Sequence, residues 1–409
     1  MIGSSKTLLQ AAAGAGGALP AEFSSEYSST QGLQMHYAYC VEIPNSNLIA
    51  VLAVHQSTDL LLHIVEVNGS SLTATLKDTN HLGNQYTDDF GAGIMWNPYN
   101  SKLVCMKLDT GGNFIGYQIE INTSNGAITT PQTATLGNWS SGFRKPFLYN
   151  NLIRHVDNEY SMQQAITSSG ERLVRFFQNY GNNSWNTFGW VGVGTAGADN
   201  VQHNIVKNES SSGLGTPIYD LGVYNNDTYI LGRYASGTGA TTFANGDMAN
   251  QQPLLTGSDM GVASGWDSIR DKLHIYTTNG TGNSYVQYRT YDYNASNTSG
   301  ISSNPSTSGT DNTVQVSGGM SLSNFVDGAS GNVIAFNDRD WSSSSMLMYQ
   351  FVYNDTGHSE VVNILNLGSR RHVRGNPGAY NTAQDCNLVV YKANTNNNTW
   401  YFRAMRGQR

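Results

Sequence analysis

Short apolar runs alternate with polar turns along this chain, and the combination of turn and run recurs. Trp96-Asn97-Pro98-Tyr99-Asn100-Ser101-Lys102 leads into Leu103-Val104-Cys105-Met106-Lys107-Leu108. Gly265-Trp266-Asp267-Ser268-Ile269-Arg270-Asp271-Lys272 leads into Leu273-His274-Ile275-Tyr276. Val326-Asp327-Gly328-Ala329-Ser330-Gly331-Asn332 leads into Val333-Ile334-Ala335-Phe336, and Asn381-Thr382-Ala383-Gln384-Asp385-Cys386-Asn387 into Leu388-Val389-Val390-Tyr391. Each copy is an Asn/Asp/Gly turn followed by a β-rich run, at a spacing of roughly 50 residues, near the size of propeller repeats. Hairpin signals at Gly111-Gly112-Asn113 and Asn125-Gly126 fall between copies.

The unit therefore reads as strand, turn, strand, hairpin, strand. Such a sheet cannot cover both of its own faces, and stacking units in a ring covers them. The pattern predicts an all-β fold, a closed seven-bladed β-propeller over residues 31–409 behind a short N-terminal arm, residues 1–30. Its units begin near residues 31, 92, 146, 219, 265, 326 and 377. Residues 190–216 fit no unit and read as a long loop. The last unit is one strand short, and a strand from Gln31-Gly32-Leu33-Gln34 is expected to complete it. A pair of β-sandwiches or a solenoid is the alternative. Residues at matching places beside the turn (Trp96, Leu103, Trp266, Leu273, Val333 and Leu388) are expected to be buried. The arm is small-residue rich, with a polar linker at Ser24-Ser25-Glu26-Tyr27-Ser28-Ser29-Thr30. It reads either as a frayed tail or as a segment docking onto another subunit.

Composition narrows the classes. Only 12% of the 409 residues are charged, yet 23 Tyr, 13 Phe and 7 Trp are spread along the chain, which excludes disorder. The 44 Gly favour short strands and tight turns over long helices. A net charge of −7 argues against nucleic acid as a partner. The basic run Arg370-Arg371-His372, with Arg374 beyond it, reads as a solvated loop. Cys40, Cys105 and Cys386 lie in or beside apolar runs and read as buried thiols, not a disulfide framework. No apolar run is long enough to span a membrane. The stretch from Leu8 to Ala21 mimics a signal peptide, but Gln10 and its glycines weaken the apolar segment.

Candidate chemistry is sparse. Asp88 and Asp89 are adjacent, and adjacent strand residues point to opposite faces. Asn337-Asp338-Arg339-Asp340 resembles part of a calcium loop without its Gly and twelfth-position acid. The nine His are scattered with no zinc spacing. No catalytic residue, cofactor or metal site is expected. Gly192-Val193-Gly194 lacks the third glycine of a nucleotide-binding loop. Exposed aromatics beside Asn and Asp are a means of holding sugar rings. Tyr180, Trp185, Asp338, Asp340 and Trp341 are the candidate glycan-facing residues, with blade core as the alternative role for the aromatics.

The run Ser4-Ser5-Lys6-Thr7-Leu8-Leu9-Gln10-Ala11-Ala12-Ala13-Gly14-Ala15-Gly16-Gly17 resembles the starts of virion structural proteins of tailed marine and cyanobacterial phages. Met95-Trp96-Asn97-Pro98-Tyr99-Asn100-Ser101-Lys102-Leu103-Val104 resembles blade openings of propeller-like proteins in those phages. The resemblance implies a virion component of the tail, baseplate, fibre or capsid surface. It would be assembled in the host cytoplasm in multiple copies and bound to other virion proteins through residues 1–20. A host-surface glycan would be a further partner. The alternative function is a secreted carbohydrate-active enzyme or lectin on the same scaffold.

Overall fold

Strand runs such as Leu48-Ile49-Ala50-Val51-Leu52-Ala53-Val54 are apolar at every position, so they need cover on both faces. The fold supplies it by packing sheets face to face. The computed structural model describes residues 19–30, 35–55, 59–84, 92–98, 100–138, 143–155, 158–167, 171–181, 184–187, 191–195, 203–207, 218–224, 227–234, 261–278, 283–296, 301–317, 323–338, 346–354, 357–371, 373–394 and 399–409. Between 143 and 234 it describes side chains only at Trp185 and Val206.

Among the described residues the strands form seven sheets. Blade 1 is the antiparallel series Met35–Ile43, Leu48–His55, Asp59–Asn68 and Thr73–Asn84. Blade 2 runs from Gly93–Asn97 to Gln132–Asn138, and blade 3 starts with Phe143–His155. Blade 4 is His203–Lys207, Ile218–Tyr224 and Asp227–Tyr234. Blade 5 is Gly261–Asp267, Lys272–Thr278, Asn283–Asp292 and Thr307–Ser317, and blade 6 runs from Ser323–Val326 to Gly357–Asn366. Blade 7 is Gly378–Asn381, Cys386–Ala393 and Thr399–Arg406. The first strand of each sheet touches the first strand of the next, and Gly378–Asn381 touches Met35–Ile43 again. This is an all-β, propeller-type architecture.

The apolar residues divide by strand alternation. Leu48, Ala50, Leu52 and Val54 pack with Ile94, Leu103 and Cys105 of blade 2. Ile49, Val51 and Ala53 pack with Leu388, Val390, Trp400 and Phe402 of blade 7. The outer strand Thr73–Asn84 has a neighbour on one side only and alternates between exposed and half-buried positions over much of its length. Cys40, Cys105 and Cys386 are buried free thiols, and burial pushes all three above the usual thiol pKa, Cys386 to about 11.

The recurring turn has one shape. Its fifth residue takes a left-handed backbone at Ser101 (φ 53°), Asp271 (57°), Gly331 (72°) and Asp385 (50°). Its first residue turns a side-chain oxygen back onto the turn. Asp267 Oδ1 accepts from the amides of Ile269 (2.9 Å) and Arg270 (3.1 Å), Asp327 Oδ1 from Ala329 (3.2 Å), and Asn381 Oδ1 from Gln384 (3.0 Å). This short-range bonding is what Asn and Asp offer a turn. The same residues also bind the next blade. Asn387 donates Nδ2 to Asp327 Oδ1 at 3.0 Å, and Asn381 donates Nδ2 to the carbonyl of Ser46 at 3.0 Å.

Several expectations change. Strands Glu22–Phe23 and Tyr27–Thr30 lie within the segment read as arm and linker, and both pair with Thr399–Arg406. They supply the missing strand of the last unit; residues 31–34 lie outside the described residues. Val191–Thr195 and His203–Lys207 are strands inside the stretch read as a loop. The basic run is built into the ring instead of being a solvated loop. Arg370–Arg371 pairs with Cys386–Ala393, and Arg374–Asn376 runs parallel to Met35–Ile43. Leu103, Trp266, Leu273, Val333 and Leu388 are buried, but Trp96 is half-buried at the edge of its cluster. Tyr380 pairs with Asn387, so Asn387, and not Leu388, takes the place of Leu103 and Leu273.

Candidate functional site

Alternation along Asn283–Asp292 sends Tyr288 and Thr290 to one face of blade 5 and Gln287 and Arg289 to the other. The first face packs on blade 6. There Tyr276 stacks on Phe351 at 4.2 Å, and Tyr288 lies 4.1 Å from the His358 ring. His358 Nε2 is 2.9 Å from Asp311 Oδ2. Gly309 lies opposite Tyr288, and a Cβ there would come within 2.6 Å of the phenol oxygen.

The face turned away from blade 6 carries a cavity of about 200 Å³ lined by Ile275, Gln287, Tyr288, Arg289, Ser308, Gly309 and Thr310. The strand register brings the lining together: Arg289 pairs with Ile275 on one side and Ser308 on the other, and Gln287 pairs with Thr310. Gln287 and Arg289 are half-buried, Ser308 and Thr310 exposed. The site offers a guanidinium, a carboxamide and two hydroxyls around one apolar side chain. That set can donate to and accept from hydroxyl groups; it contains no nucleophile paired with a base.

Beneath it lies a sealed polar network. Asp267 is fully buried and accepts from Arg270 Nη1 at 2.8 Å, and His274 Nε2 lies 3.3 Å away. His274 Nδ1 is 3.0 Å from Thr290 Oγ1. Burial lowers the His274 pKa against the pull of Asp267. Burial alone would raise Asp267; hydrogen bonds from His274 and Arg270 outweigh it and hold the carboxyl below its usual range. The pair is therefore a carboxylate beside a neutral imidazole with both nitrogens engaged. Arg270 Nη1 also donates to the carbonyl of Ser330 at 2.8 Å, tying blade 5 to blade 6. This geometry holds blades together.

Of the residues singled out from sequence, the described ones, Tyr180, Trp185 and Asp338, are not among this lining. Tyr180 lies in Glu171–Gly181 of blade 3 and Asp338 at the end of Val333–Asp338 in blade 6, sheets that are not neighbours in the ring. Asp340, Trp341, Asp88 and Asp89 lie outside the described residues. Trp185 is half-buried against Met106, Leu108, Phe114 and Leu136 of blade 2, with its ring over Gly116. It packs between blades 2 and 3. The cavity went unread because Thr307-Ser308-Gly309-Thr310 has the composition of a loop, whereas it starts the outer strand Thr307–Ser317. The alternation Gln287-Tyr288-Arg289-Thr290 was the available signal. Among the described residues no cluster of His, Cys, Asp and Glu has metal-binding geometry, and no helix is long and apolar enough to cross a membrane.

No protein-family model matches the chain, and no curated protein matches it. Solved structures similar to it are propeller-scale in coverage and remote in sequence. A crystal structure of the polysaccharide lyase Uly1 is 11% identical over 92% of this chain and 93% of that one, with a TM-score of 0.47. The Aleuria aurantia lectin is 10% identical over 81% and 96%, with a TM-score of 0.45. A Penicillium chrysogenum α-L-arabinanase is 9% identical over 95% and 98%, with a TM-score of 0.46. At these values none of them bears on what this chain binds or does.

Proposed function

We propose that this chain is a carbohydrate-binding propeller. The observation that carries the reading is the blade 5 cavity, where Arg289, Gln287, Ser308 and Thr310 surround Ile275. A concave site with a few convergent polar groups suits a small polar ligand, and sugar hydroxyls match this mixture of donors and acceptors. Among the described residues, the lining contains no carboxylate. Glycoside cleavage uses a pair of them, so the reading is binding without turnover. The test is a panel of immobilised neutral glycans probed with the wild type and with Arg289→Ala and Gln287→Ala. Binding should fall in both variants, with stability held within about 0.5 kcal/mol, as for substitutions at the protein surface. Glycan binding unchanged in both variants, or no glycan bound by the folded wild type, would overturn it.

Display on a virion is a separate proposal. It is supported by the likeness of residues 4–17 to virion proteins and tested by whether the chain copurifies with assembled phage particles.

A further inference from the structure

The charges of blade 5 are segregated by face. Its four strands carry three acids, Asp267, Asp292 and Asp311. Asp267, Lys272 and Asp292 stand in one cross-strand row, and Asp311 stands directly opposite Val286. Residues directly opposite share a face. Val286 packs against blade 6, and Asp292 lies an even number of residues beyond it. Alternation therefore puts all three acids on the face turned to blade 6. Each is engaged there: Asp267 by Arg270 and His274, Asp292 by Lys272, and Asp311 by His358.

Among the described residues of these strands, the opposite face carries one cation and no acid. That cation is Arg289, set in the cavity among Ile275, Gln287, Ser308 and Thr310. It is half-buried, and no described residue accepts a hydrogen bond from it or forms an ion pair with it. A guanidinium so placed has lost part of its water without gaining a counter-charge, and an entering anion would make a charge-assisted contact. Its two parallel N–H groups match the two oxygens of a carboxylate. Around it, Gln287, Ser308 and Thr310 offer neutral donors and acceptors. At about 200 Å³ the cavity is smaller than the roughly 300–1,000 Å³ of drug-sized sites, which suits one ring and its substituents better than a stretch of chain.

We propose that the blade 5 cavity selects sugars that carry a carboxylate, the uronic acids, with Arg289 as the specificity-determining residue. The proposal rests on the carbohydrate-binding reading of the same cavity and adds a preference to it. Ring hydroxyls meet Gln287, Ser308 and Thr310, and the carboxylate meets the Arg289 fork. A neutral sugar satisfies the first set of groups and leaves the guanidinium without its counter-charge, so it binds more weakly.

The experiment measures binding of the full chain to oligomers of galacturonic, glucuronic and mannuronic acid, each against its own carboxyl-reduced form, at low and high salt. Members of a pair differ only in the carboxylate. In at least one pair the acid should bind at least about tenfold tighter, the equivalent of one charge-assisted contact, and the margin should shrink at high salt. Arg289→Gln should weaken the acid at least about tenfold more than its neutral partner and so erase the margin. Arg289→Lys keeps the charge without the fork; it should retain part of the margin, and it carries the comparison if Arg289→Gln fails to fold. Gln287→Ala should weaken both members alike. Equal binding within every pair would overturn the selection and leave carbohydrate binding standing. So would a margin undiminished in the folded Arg289 variants, or tighter binding of a sulfated neutral form than of the acid. Binding of no member of any pair by the folded wild type would overturn the carbohydrate reading itself, and the selection with it.

Discussion

Between blades 7 and 1 the facing surfaces are mostly apolar, with Ile49, Val51 and Ala53 against Leu388, Val390, Trp400 and Phe402. Between blades 5 and 6 an apolar layer of Ala263, Val333, Ala335 and Phe351 is shared with two buried His–Asp pairs, His274–Asp267 and His358–Asp311. Both seams join similar antiparallel sheets, so blade geometry alone does not dictate the chemistry between them. Blades 5 and 6 are consecutive in the chain, and there the polar pairs fix how one sheet sits on the next. Blades 7 and 1 come from opposite ends of the chain. Their seam adds contacts that connectivity does not supply: the Asn381 amide on the Ser46 carbonyl, the Gln384 carboxamide accepting from Gly69, and the strand Arg374–Asn376 laid along Met35–Ile43.

The largest expected effect falls on the apolar seam. Trp400→Ala empties a fully buried site and should cost about 3–5 kcal/mol in chemical denaturation. A loss below about 1 kcal/mol would mean that the two blades do not rely on this contact. On the polar seam, Asp267→Asn keeps the shape but removes the charge that His274 and Arg270 bind. It should cost about 2 kcal/mol, the range for hydrogen bonds to charged groups. An unchanged melting curve would show that the network fills space without adding stability.

The pH dependence separates the seams further. Burial, aided by the neighbouring His55, lowers the His63 pKa from 6.5 to about 3. The folded state therefore resists a proton that the unfolded chain accepts. Stability should fall by about 1.4 kcal/mol per pH unit as the pH drops from 6.5 towards 3. His63→Leu should flatten that limb. Asp267 has linkage of the same sign in a lower window: its lowered pKa adds stability above the ordinary carboxylate range, lost as the pH falls through the folded value. Equal acid limbs for wild type and His63→Leu, measured by urea titration at stepped pH, would contradict the assignment.

Much of this fold was legible in the sequence, because the turn is local. Asp267, Asp327 and Asn381 recur before a β-rich run since an Asx side chain can close its own turn, and Asp271 and Asp385 tolerate the left-handed backbone that follows. What sequence left dark was long-range. Glu26 looks like one residue of a polar linker, yet it binds Arg370 and Tyr391, more than 340 positions away. Ser28 and Ser29 have weak strand propensity and become strand because Thr399–Arg406 offers them an edge. The Trp185 ring was unreadable for the same reason, since its partners Phe114 and Leu136 belong to another sheet.

The account rests most on the ends of the chain meeting in one sheet. Thr30 and Thr399 are directly opposed across that pairing, within the Cα separation a disulfide needs. The native cysteines are buried and should not compete. Thr30→Cys/Thr399→Cys should form an intramolecular disulfide in the monomer under mild oxidation, and closing so long a loop should raise stability by up to about 5 kcal/mol. Thiols that stay free in the folded monomer, or that link only between molecules, would contradict the closing strand pair.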